Sequence, residues 1–235
     1  MSSRGTAGNF EEQLRVNFSL TPTPSQDRML YVLGRFLGSS MPNSALIIKG
    51  YAGTGKTTSV NALVKTLEQL GVGYELLAPT GRAAKVLGSY TSRRAFTIHK
   101  RIYRTGRGES GEFVFMRAEN KRKNTVFVVD EASMIGVGDR VGRGGSLLDD
   151  LFQFVFEGPG CRLLLIGDDA QLPPVGSDLG PALNLAYLQG RYHVTGAMTE
   201  LTDVTRQGFD SGILALATTV RSALSVRNVR DALPF

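Results

Sequence analysis

Gly50-Tyr51-Ala52-Gly53-Thr54-Gly55-Lys56-Thr57 is the stretch on which the fold turns. It follows an apolar run at 45–48 and opens a helical pattern, so strand, loop and helix stand in the register that G-x-x-x-x-G-K-[ST] requires. The glycines let the loop curl until successive backbone N–H groups point inward. The helix N-terminus adds the positive end of its dipole, and together they form a cradle for a phosphate chain. Gly53, Thr54, Gly55, Lys56, Thr57 and Thr58 are therefore the expected nucleotide contacts. Lys56 reaches the β- and γ-phosphates, and the Thr57 hydroxyl is placed to coordinate Mg²⁺.

Outward from this loop, apolar runs with strand character recur at 45–48, 74–78, 125–129, 162–166 and, more weakly, 198–201, with helical patterns between most of them. Near-continuous apolar strands alternating with helices predict an α/β domain whose mostly parallel sheet is covered on both faces. Residues 1–19 read as a loosely held lead-in, and Thr23-Pro24-Ser25-Gln26 opens a helix through Met29, Leu30, Leu33 and Leu37. The segment 103–124 breaks the rhythm and reads as a small insertion built on a β-hairpin. The glycine-rich stretch 136–145 predicts a mobile loop before an amphipathic helix at 147–156, and the last thirty residues read as helices.

Two further strand ends carry chemistry. Val126-Phe127-Val128-Val129-Asp130-Glu131 is an apolar strand ending in two acids, expected beside the P-loop strand. Asp130 there binds Mg²⁺ directly or through water, and Glu131 orients and deprotonates an attacking water. Leu164-Leu165-Ile166-Gly167-Asp168-Asp169-Ala170-Gln171 ends a second strand in a tight turn, and Gln171 is placed to bond the γ-phosphate or that water. Gln26 has two readings. It completes a capping box with Thr23, and its amide could instead read an adenine edge; with the downstream motifs present, adenine recognition is the expectation.

With 235 residues and 42% hydrophobic content the chain can bury a full core. Its single cysteine, Cys161, excludes an internal disulfide and reads as a small apolar residue beside a strand. No apolar stretch approaches the about eighteen residues of a membrane span, and the N-terminus lacks a signal-peptide core, so a soluble cytoplasmic protein is expected. The net charge of +6 is unevenly spread: 82–123 holds 12 basic and 3 acidic residues, a balance of +9 that leaves −3 elsewhere. Such a concentration has two readings, a face for a polyanion and a solvated loop rich in lysine and arginine.

In their order and spacing these elements resemble the superfamily 1 helicases, most closely the RecD-like branch (superfamily 1B), over about residues 20–220. Residues 50–58 resemble motif I, Ala78-Pro79-Thr80-Gly81-Arg82-Ala83-Ala84 motif Ia, 97–100 the short T-I-H element, 130–133 motif II, 167–173 motif III and Thr205-Arg206-Gln207 motif IV. The resemblance implies the N-terminal RecA-like ATPase domain of a motor that moves 5′ to 3′ on single-stranded DNA with ATP and Mg²⁺. It implies that Arg206 contacts the γ-phosphate, joining Lys56, Glu131 and Gln171 in hydrolysis, and that Thr80, Arg82, His99 and Lys100 lie along DNA. The insertion would be a small strand-separating subdomain. A second RecA-like domain, with motifs V and VI, would complete the cleft. The rival readings are a P-loop ATPase or kinase without translocation, in which the glutamine turn has no obvious place, and a nucleotide-gated binding module, which has no need of a water-activating acid.

Overall fold

The computed structural model describes residues 3–107, 113–136, 145–168 and 180–204. Along the chain come α1 (Ser3–Asn17), α2 (Pro24–Leu37), β1 (Ser44–Gly50), α3 (Lys56–Gln69), β2 (Gly73–Ala78), α4 (Gly81–Thr91), β3 (Ala95–Thr97) and α5 (Ile98–Ile102). The hairpin strands β4 (Tyr103–Arg107) and β5 (Phe113–Arg117) follow, then β6 (Thr125–Val129), α6 (Leu147–Glu157), β7 (Arg162–Gly167), α7 (Leu185–Tyr192) and β8 (Thr195–Leu201).

Six strands form one sheet in the order β3-β2-β6-β7-β1-β8, and every pairing in it is parallel. Successive side chains of a strand point to opposite faces, so each continuous apolar run serves two cores. Leu46, Ile48, Val126, Val128, Leu164 and Ile166 pack beneath α1 to α4. Ile47, Phe127, Val129, Leu163 and Leu165 pack beneath α5, α6 and α7. All five strands expected from the sequence are present. β3, only three residues long, carries no pattern that would mark it and forms by pairing with Leu76, Leu77 and Ala78. No helix among the described residues is long and apolar enough to cross a membrane.

The N-terminal lead-in requires correction, because it is a packed helix. Phe10, Leu14 and Phe18 recur every four residues, and all three are buried against α2 and α3. Gln13 donates to Gln69 (2.9 Å), and Asn17 to Thr66 (3.0 Å), tying α1 to α3. The approach to α2 is close enough that a Cβ on Gly34 would stand 2.7–2.9 Å from Glu11 atoms, backbone included. Gly34→Val is therefore expected to force the two helices apart and destabilise the chain by about 1–3 kcal/mol, measured by urea unfolding. An unchanged midpoint would mean that α1 contributes nothing to the core.

The expected hairpin is present, with β4 and β5 antiparallel from Tyr103↔Arg117 to Arg107↔Phe113. Its base is fastened to α6: the Tyr103 hydroxyl donates to Asp150 (2.6 Å), and Arg117 pairs with Glu157 (2.7 Å). The neighbouring Asp149 accepts from Arg191, Tyr192 and Ser146, and the Arg191 guanidinium holds its carboxyl well below the usual range. The loop expected at 136–145 falls mostly on 137–144, and the helices expected over the last thirty residues on 205–235; both lie outside the described residues.

Candidate functional site

β1 ends at Gly50, and α3 begins six residues later at Lys56, so the intervening loop stands at the carboxyl edge of the sheet. The first-turn N–H groups of a helix have no intrahelical acceptor. At α3 the N-cap is Gly55, with φ 97°, and no side chain caps the helix. A 14-residue helix thus presents an uncapped N-terminus inside a curled loop, the arrangement that an anion completes. Thr57 is exposed and Thr58 half-buried at this end. Lys56 donates from Nζ to the carbonyls of Gly50 and Tyr51 (3.0 Å to the latter), folded onto its own loop. Thr54 is fully buried and donates its hydroxyl to Tyr51 O (2.8 Å), so its side chain shapes the loop.

Gln26 belongs to this loop in a way the sequence did not suggest. Its Oε1 accepts from Thr23 N–H (3.0 Å) in a complete capping box, while Nε2 donates to Thr54 O (2.9 Å). The residue is 2% exposed, with both amide ends engaged. A Cβ on Gly55 would meet Nε2 at 2.5 Å and displace that amide, and the positive φ of this position itself favours glycine. The capping reading is realised, and beyond these bonds the amide keeps one N–H and one lone pair.

Asp130 follows β6 at the same carboxyl edge, its N–H bonded to Leu77 O (2.9 Å). One carboxylate oxygen accepts from Glu131 N–H (3.0 Å) and the other from the Tyr90 hydroxyl (2.8 Å). Glu131 has φ 56°, a left-handed conformation costly for a side chain of its size, and it ends the strand and starts a 3-10 turn at Ala132. One expectation about this pair fails. β6 is not beside the P-loop strand, because β7 stands between them and pairs with both. β7 is apolar on both faces, with Leu163 to Ile166 at most 1% exposed, which suits an interior place in the sheet. The acids and the P-loop consequently flank the end of β7, where Gly167 and Asp168 lead toward Gln171. Tyr90 escaped the sequence reading: it lies 40 residues from Asp130, and nothing local distinguishes it from a packed helical tyrosine.

Among the described residues no three His, Cys, Asp or Glu side chains converge on a metal position. Thr57 and Asp130 carry hard oxygen atoms, the donor class that Mg²⁺ takes.

Thr80 and Arg82 open α4 after β2, and His99 and Lys100 lie on α5 after β3, all on the carboxyl side of a strand. All four are exposed. Thr80 accepts from Ala83 N–H (3.2 Å) as an N-cap, which leaves its hydroxyl proton available. The basic segment forms one face only in part: Arg101, Arg104, Lys121 and Arg122 line one cavity, which Arg82 does not. Lys121, Arg122 and Lys123 precede β6, at the opposite edge from Asp130 and about 17 Å of strand away. Arg101 and Arg122 share the buried carboxylate of Glu75, Arg93 pairs with Glu68, and the chain has to pass from the hairpin to the start of a parallel strand. Gln171 and Arg206 lie outside the described residues.

Comparison with known proteins matches residues 35–225 to the family described as AAA domain. The ATP-dependent RecD2 DNA helicase of Deinococcus radiodurans is 36% identical over 172 residues, 73% of this chain and 21% of that protein. The ATP-dependent DNA helicase dda of Enterobacteria phage T4 is 33% identical over 181 residues, 74% of this chain and 37% of that protein. The chain thus spans between a fifth and two fifths of these relatives. The crystal structure of Pif1 helicase from Candida albicans superposes with a TM-score of 0.56 at 22% identity, over 90% of this chain and 45% of that one, which shows a shared RecA-like fold.

Proposed function

The chain belongs to the AAA domain family, in its RecD- and Pif1-like branch, and from that premise we propose that it is the first motor domain of a DNA helicase, binding ATP·Mg²⁺ and driving movement on single-stranded DNA. The observation that carries this reading is the convergence at one sheet edge of an uncapped P-loop helix, the Asp130–Glu131 pair and the exposed Thr80, Arg82, His99 and Lys100. A kinase or a passive binding module gains no support from that arrangement.

In this reading the first-turn amides of α3 bind the β-phosphate, and Lys56 exchanges its loop carbonyls for β- and γ-phosphate oxygens. Thr57 and Asp130 would hold Mg²⁺, which when bound neutralises charge on those oxygens. Glu131 takes the proton of the water that attacks the γ-phosphorus, and the bond to the bridging oxygen breaks to release ADP. Gln171 and Arg206, by their resemblance to motifs III and IV, would complete the set and report the γ-phosphate. The hairpin, with Phe115 and Met116 exposed on opposite faces of β5, supplies the strand-separating element. A second RecA-like domain and single-stranded DNA are the partners this requires.

Lys56→Ala is expected to abolish ATP binding at micromolar nucleotide in a fluorescent-nucleotide titration, because it removes the mobile positive charge at the phosphates. Unchanged affinity would take the P-loop out of the mechanism.

A further inference from the structure

The geometry points to Tyr90 as a positioning residue for the metal-binding carboxylate, one that makes metal affinity depend on the helix presenting the nucleic-acid contacts. The Tyr90 hydroxyl donates to one oxygen of Asp130 (2.8 Å), while Glu131 N–H occupies the other (3.0 Å). The carboxylate is thereby fixed in rotation by two donors from different elements. Groups of this kind, hydrogen-bonded to a ligating carboxylate, typically contribute about 10- to 100-fold in metal affinity.

Tyr90 stands one residue from the end of α4, and the same helix begins at Thr80 and Arg82. α4 is 11 residues, about 16 Å of rigid rod, and its buried Ala84 and Leu87 seat it on the sheet. A strand gripped at the first turn moves the helix as a unit, and with it the hydroxyl on Asp130. Mg²⁺ affinity and nucleic-acid affinity are then linked through one hydrogen bond, reciprocally. This second half rests on the reading of Thr80 and Arg82 as nucleic-acid contacts.

The test is titration of the 235-residue chain with Mn²⁺ in the presence of ADP, followed by electron paramagnetic resonance, for the parent, Tyr90→Phe and Asp130→Asn. Tyr90→Phe keeps the ring and its packing and removes only the hydroxyl. It is expected to weaken Mn²⁺ binding about 10-fold or more, with metal-free ADP affinity unchanged. Parental Mn²⁺ affinity in Tyr90→Phe, with Asp130→Asn impaired, overturns the positioning role. Parental affinity in Asp130→Asn overturns the metal reading of Asp130 and the inference with it. A saturating single-stranded oligonucleotide, its binding followed by fluorescence anisotropy, is expected to shift Mn²⁺ affinity about fivefold or more in the parent and not in Tyr90→Phe. An oligonucleotide that binds without such a shift overturns the coupling. Failure to bind at all overturns the nucleic-acid reading, and the coupling falls with it.

Discussion

Steady-state ATP hydrolysis by these 235 residues alone is expected to run about three to five orders of magnitude below that of the same domain joined to a second RecA-like domain, with little stimulation by single-stranded DNA. As the γ-phosphoryl group transfers, negative charge develops on its oxygens, and a positive group closing over them from across the cleft supplies about that factor. Lys56, Thr57, Asp130 and Glu131 all belong to one edge of one sheet. On the proposed reading they bind nucleotide and activate water, but approach the phosphates from one side only. Stepping further requires two grips that alternate, of which the proposed reading assigns one to the motif Ia side. The measurement is ATPase activity with and without oligonucleotide, beside a strand-displacement assay. Robust DNA-stimulated turnover by the monomer would contradict the two-domain cleft, and turnover rising steeply with protein concentration would show self-association completing the site.

Glu131→Gln in the two-domain enzyme is expected to retain ATP affinity and lose turnover by about two to four orders of magnitude, the range of a general base. The amide keeps the size of the side chain but cannot take the proton of the attacking water. The left-handed backbone at Glu131 adds a reason to regard the position as functional, since a non-glycine residue at φ 56° is retained at a cost. The substitution leaves the Asp130 contacts with Tyr90 and with the residue-131 N–H intact, so metal-dependent binding should persist. Hydrolysis at the parental rate would assign the base elsewhere.

Much of this molecule was legible in its sequence because the chemistry concerned is local. A P-loop is eight consecutive residues whose backbone does the binding, and glycine, lysine and threonine at fixed spacing determine its shape. The five apolar runs were legible for a similar reason, since a strand buried on both faces must be apolar throughout. So was the hairpin, whose glycines and alternating residues lie within one segment. The helix at α1 could have been read and was not: Phe10, Leu14 and Phe18 keep a four-residue interval that a polar, glycine-containing surround obscured.

The amino-acid sequence by itself determined the α/β class, the phosphate loop and the pairing of Asp130 with Glu131 at a strand end. Only the tertiary structure decided which strands adjoin, and so that β7 stands between the P-loop strand and β6. It alone brought Gln26 onto Thr54 across 28 residues and Tyr90 onto Asp130 across 40, and it gathered Arg101 and Arg122 on the single carboxylate of Glu75. Periodicity records which face of an element is buried. It does not record which neighbour buries it, because that depends on side chains of distant segments fitting together in a common core.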